Sequence, residues 1–98
     1  MSTIDIVHPH AAGLAKARKA VEEVAGKLAA EYALECHWQG DSLHFKRSGV
    51  HGRIGVGADS IHVQARLGLL YSVLQATIET EIRRMLDKKL GQAPTLGK

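Results

Sequence analysis

The sequence predicts an α+β domain of element order β-α-β-β-β-β-α: an antiparallel four-stranded meander with two helices on one face and an N-terminal strand at an edge. Three observations predict it. The apolar period changes from helical to alternating and back along the chain. Turn signals, two of the three containing glycine, punctuate the alternating part. The cross-strand partners that those turns imply are apolar with apolar throughout. The 98 residues, 45% hydrophobic with two prolines, suffice for one core and one domain, placed at 1–91 with a flexible tail at 92–98.

In "STIDIVHPH", Ile4 and Ile6 alternate with Thr3, Asp5 and Val7, which reads as a short strand closed by Pro9. From about Ala11 to Tyr32, Leu14, Ala17, Val21, Val24, Ala25, Leu28 and Tyr32 recur every three or four residues and make one helical stripe. Lys16, Lys19, Glu23, Lys27 and Glu31 fall opposite. Gly26 interrupts that helix at a cost of about 1 kcal/mol relative to alanine, and close packing is the expected reason for it.

Between Ala33 and Leu67 the period is two. Turns at Gly40-Asp41, Ser48-Gly49 and Ala58-Asp59 set Trp38 opposite Leu43, Cys36 opposite Phe45, Leu43 opposite Ile54, Val56 opposite Ile61, and Ile54 opposite Val63. The other face then carries two rows, His37-His44-Arg53-Gln64 and Glu35-Lys46-His51-Arg66, with His62 beyond them. Leu69 to Leu90 returns to a helical period, with Leu70, Val73, Leu74, Ile78, Ile82, Met85, Leu86 and Leu90 apolar. Its apolar arc of about 200° exceeds the ~100° that one packing surface needs, so two contacts are expected, one of them on the first helix or a second subunit. Gly91 suits the helix stop, and Lys88 and Lys89 suit the negative end of its dipole.

The net charge of +3 is mild and rises in acid because six histidines titrate near neutrality. Acidic and basic residues alternate on both helices, which argues against reading the charge as a nucleic-acid footprint. One cysteine cannot form an internal disulfide and suits a reducing compartment. No stretch reaches the roughly 18 apolar residues of a membrane span, and no leader pattern opens the chain, so a cytoplasmic location is expected.

Cross-strand His37 and His44 could share a metal ion, with Glu35 or His51 as a further ligand, yet Arg53 beside His44 and Lys46 beside His51 would repel it and a site needs three or four converging ligands; no metal site is expected. The His8-Pro9-His10 segment reads as a strand-to-helix junction. Cys36, between Leu34 and Trp38 on the apolar face, reads as core and inert. No catalytic triad signature occurs, "GRIGVG" sits inside a strand with no helix after it, and neither a cofactor nor an enzymatic activity is expected. Lys46, Arg53, Arg66, His44 and His51 form an alternative anion or nucleic-acid face. Base stacking is disfavoured because Trp38 and Phe45 point inward, so nucleic acid is not the expected partner. The wide arc of the second helix, through Ile82, Leu86, Leu90 and Tyr71, is instead the expected partner-binding surface, for a protein, a granule surface or a second copy in a homodimer.

Three motifs carry a family resemblance: W-x-G-D-x-L-x-F from Trp38 to Phe45, G-x-x-G-x-I-x-V from Gly49 to Val56, and I-E-x-E-I from Ile78 to Ile82. With the "I-x-I-x-H-x-H" start they resemble the putative polyhydroxyalkanoic acid system family over roughly Ile4 to Gly91. The resemblance implies a cytoplasmic accessory or regulatory protein linked to polyhydroxyalkanoate storage granules, with no catalytic residues to carry over.

Overall fold

A computed structural model describes residues 2–91; the expected tail, 92–98, lies outside the described residues. The elements are β1 (Ser2–Pro9), α1 (Leu14–Tyr32), β2 (Glu35–Gln39), β3 (Ser42–Arg47), β4 (Val50–Val56), β5 (Ser60–Leu67), α2 (Leu69–Ser72) and α3 (Gln75–Leu90). They build one five-stranded antiparallel sheet in the order β1-β5-β4-β3-β2. The N-terminal strand is indeed at an edge, antiparallel to β5, with Ile4 opposite Ala65 and Ile6 opposite Val63.

The meander has the register that the turns imply, from Cys36 opposite Phe45 to Val56 opposite Ile61. Gly40 and Gly49 take φ of +62° and +87°, the left-handed region that lets the first two hairpins reverse in two residues. Helix α1 lies across β4, β3 and β2 on the apolar side, while α3 packs on β1 and against α1. The core between these layers contains Ile4, Ile6, Val21, Val24, Ile54, Ile61, Val63 and Leu67, all nearly inaccessible. Each large aliphatic side chain buried there contributes roughly 1.5–3 kcal/mol relative to exposure.

Two expectations about the helices need correction. The second helix is not continuous: after α2 the chain tightens, with the Leu74 amide bonding the Tyr71 carbonyl at 3.0 Å, before α3 begins. Ile78, Ile82 and Leu86 of α3 can then reach the core while Tyr71 packs at its margin. Gly26 is exposed, with no atom near the position a side chain would take, so nothing in the structure explains that glycine.

At the margin of the sheet, Arg18 of α1 lies 4.0 Å over the Trp38 ring and donates to the Gly40 carbonyl (2.8 Å) and to Asp41 Oδ1 (2.9 Å). One guanidinium thus ties the first hairpin turn to α1 and covers the only partly buried indole. At the other end, Arg47 donates to the Tyr32 carbonyl at 2.8 Å, a cation placed where α1 presents unpaired carbonyls.

Candidate functional site

The helices cover one side of the sheet, so the other side is open. Its rows are those that alternation implies, His37-His44-Arg53-Gln64 and Glu35-Lys46-His51-Arg66, and β1 extends the first with Asp5 and the second with Thr3. His37 and His44 stack with ring centroids 5.4 Å apart and planes 13° from parallel. Arg53 uses both Nε and Nη2 to hold Gln64 Oε1, at 3.2 and 2.9 Å, and His62 donates to Asp5 Oδ1 at 2.6 Å. Among the described residues, Lys46 and Arg66 have no ion-pair partner. The anion-face candidates Lys46, Arg53, Arg66, His44 and His51 are therefore brought together on one surface.

The metal candidates are neighbours without company. Among the described residues no group of three or more His, Cys, Asp or Glu side chains is placed to hold an ion, and Arg53 stands directly across from His44. Cys36 is exposed, which corrects its expected place in the core. It is on the apolar side of the sheet, but β2 is the edge strand beyond the full cover of α1. What burial it has still pushes its thiol above the usual range by desolvation.

The expected partner-binding residues divide differently from their order in sequence. Ile82 and Leu86 are 2% and 1% exposed, packed into the monomer's own core, and present no surface. Leu90 and Tyr71 are partly buried against that core. The exposed apolar surface is instead at the helix break, where Leu69, Leu70 and Val73 are 83%, 77% and 82% exposed and Leu74 adjoins them. Sequence reasoning counted Leu70, Val73 and Leu74 within the helical arc and missed that they separate from it. Gly68, whose amide bonds the Gly49 carbonyl at 2.8 Å, was the available signal that a short element starts there.

His8 and His10 are buried polar side chains of structural use. His8 Nε2 donates to the Gly91 carbonyl at 2.8 Å and joins the end of α3 to β1. His10 Nε2 donates to the Gly57 carbonyl at 3.1 Å, while its Nδ1 accepts the Ala12 amide at 3.1 Å.

Where α3 meets α1, Glu81 has one carboxylate oxygen buried without a hydrogen-bond partner among the described residues. Desolvation, and then the like charge of Glu31, push its carboxyl above the usual range, against the weaker opposing influence of Arg84 and Lys27. A carboxyl raised in the folded state contributes stability below its unfolded value and loses it as pH rises through the folded value. Glu81→Gln is therefore expected to stabilise the protein at pH 7, by no more than about 1 kcal/mol because partial exposure screens the charge, and to raise the thermal midpoint accordingly. The gain should close toward pH 4, as thermal melts across that range will read.

Most motif positions have a mechanical task in this fold. Trp38 and Asp41 meet Arg18, Leu43 and Phe45 enter the core, Gly49 and Gly52 admit neighbouring rings, and Ile78 and Ile82 anchor α3. An apolar cavity beneath Tyr71, bordered by Phe45, Ile78 and Ile82, has only about 20 Å³, little more than one water requires. The motifs thus specify a two-layer α+β domain whose distinctive surfaces are an open polar sheet face and an apolar prominence. The chain belongs to the family described as putative polyhydroxyalkanoic acid system protein, whose model matches residues 4–90. No curated protein and no solved structure matches it significantly. Among the described residues, no helix is long and apolar enough to cross a membrane.

Proposed function

We propose that the protein is a non-enzymatic accessory protein of polyhydroxyalkanoate storage that acts in the cytoplasm by docking on the granule surface through α2. The observation that carries this reading is the concentration of Leu69 and Leu70 of α2 with Val73 directly after it, each more than three-quarters exposed. Single exposed aliphatics are ordinary, but a cluster of this kind on a small domain marks an interaction site. Family membership supplies the polyester context.

The test is fractionation of polymer-accumulating cells. The protein is expected in the washed granule fraction, and the double substitution Leu70→Asp with Val73→Asp is expected to leave it in the supernatant with its thermal midpoint unchanged. Equal recovery of both proteins in the supernatant would refute the reading.

A second reading, anion or nucleic-acid binding on the open sheet face, is favoured by Lys46 and Arg66, without ion-pair partners among the described residues, beside Arg53, His44 and His51. It requires oligonucleotide affinity that falls steeply with salt, because phosphate contacts release counterions. Absence of binding at low salt would remove it.

A further inference from the structure

We propose that the surface on which α2 docks is a lipid layer carrying anionic headgroups, with the aliphatics entering the acyl region and a basic rim meeting the headgroups. This rests on the reading of α2 as the docking element and specifies the chemistry of its partner. The prominence is firmly mounted: the Gly68 amide is bonded to the Gly49 carbonyl, and the Tyr71 ring lies close over Gly49 in the β3–β4 turn. Leu69, Leu70 and Val73 therefore project from the end of the sheet on a braced base.

That end of the sheet is cationic. Arg47 flanks the same turn, Arg66 is the penultimate residue of β5, and Lys46 and His51 lie in register with it along a shallow groove that ends at Gly68. Glu35, opposite Lys46, is the one carboxylate lining this groove. Charge is segregated along the chain as well. Ser42 to Ala58 and Ser60 to Ile78 contain no Asp or Glu, and Asp59 between them sits at the far end of β5 from α2. Lys46, Arg47, Arg53 and Arg66 thus face a single acid within that span, whereas both longer helices mix the two signs.

An apolar knob bordered by cations is the pattern of an element that lies in a membrane interface. Bare polyester would use the aliphatics and leave the cations unexplained. A second copy meeting this one through the same patch would bring two basic rims together, and like charges juxtaposed across an interface oppose association.

The test is co-sedimentation of the full chain with phosphatidylcholine vesicles with and without phosphatidylglycerol, alongside bare polyester particles, with solution mass measured in parallel. Binding is expected only to the vesicles with phosphatidylglycerol and is expected to weaken with salt. Leu70→Asp with Val73→Asp should reduce it at least about tenfold. Lys46→Gln with Arg66→Gln should reduce it about thirtyfold, the equivalent of about 1 kcal/mol for each basic residue near an anionic surface. All four side chains are exposed or at the surface, and unchanged thermal midpoints will verify that the variants fold. Equal, salt-insensitive binding to both vesicle types would overturn the inference. Binding to polyester alone would overturn it while leaving the granule reading intact. A dimer that the aspartate variant converts to monomer would overturn it in favour of self-association. Binding to neither vesicles nor polyester would defeat both readings.

Discussion

Gly52→Ala is expected to destabilise the protein by about 3 kcal/mol or more, the upper range for forcing a methyl group into a packed core. For a domain of this size that lowers the thermal midpoint by roughly 12 °C at least. A Cβ at this position would lie 2.5 Å from the Gln64 carbonyl oxygen, 2.7 Å from Phe45 Cζ and 2.9 Å from Ala65 Cα. The ring could tilt, but the other two atoms belong to the backbone of β5. That strand is hydrogen-bonded to β4 on one side and β1 on the other, so it has nowhere to retreat. Gly55→Ala, three residues along the same strand, is the control. Its nearest neighbour would be 3.9 Å away, ordinary contact distance, and its cost should remain within about 1 kcal/mol. Comparable midpoints for the two variants would show that Gly52 is not in close contact with Phe45 and β5.

This pair also shows what one-dimensional pattern can and cannot convey. Alternation places Phe45 and Gly52 on the same face and the turn lengths place them opposite each other. Nothing in the string says that the ring tip closes onto the glycine, so in sequence Gly52 is indistinguishable from a residue of twist or bulge. The same division recurs throughout. Register was legible from Leu34 to Leu67 because a one-residue slip would have exchanged the faces of every strand. The direction of β1 was not legible, because its partner β5 lies some fifty residues away with no turn to fix the pairing.

Parity also assigns a face without assigning a position across the sheet. Cys36 and Trp38 have the parity of core residues, yet β2 ends the sheet, leaving the thiol exposed and the indole covered by Arg18. The break at Val73 and Leu74 escaped detection for a related reason. A wide apolar arc reads as one helix with two contacts, whereas here it arises from two helical segments, one packed and one projecting. Ile82 and Leu86, chosen as surface, were core, and the surface lay in the residues just before α3. The polar face of the four-strand meander was legible, because every side chain that the meander places there follows from register, whereas Thr3 and Asp5 join it through the pairing of β1.

His10→Ala is expected to cost about 3 kcal/mol, although a histidine beside a proline at the start of a helix would pass as a solvated junction. Its side chain is 2% exposed, and both ring nitrogens are engaged. A carbonyl can only accept, so the bond to Gly57 places the ring proton on Nε2, and Nδ1 is then the acceptor that the Ala12 amide requires. Truncation leaves a partly buried acceptor and a partly buried donor without protein partners, each costing roughly 1 kcal/mol, and opens a void between the β4–β5 turn and the approach to α1. The backbone reinforces the arrangement, since the His10 amide bonds the Asp59 carbonyl at 2.9 Å. Two smaller changes can divide the effect. In His10→Asn the amide oxygen can take the place of Nδ1 and keep the Ala12 bond; in His10→Gln the amide nitrogen can take the place of Nε2 and keep the bond to Gly57. Each should recover about 1 kcal/mol relative to alanine in urea unfolding. If asparagine, glutamine and alanine are equally destabilising, loss of packing accounts for the cost; if all three match the parent, the ring has no structural part. An intermediate pair would establish that His10 acts as a two-ended clip, holding the β4–β5 turn against the segment that leads from the edge strand into α1.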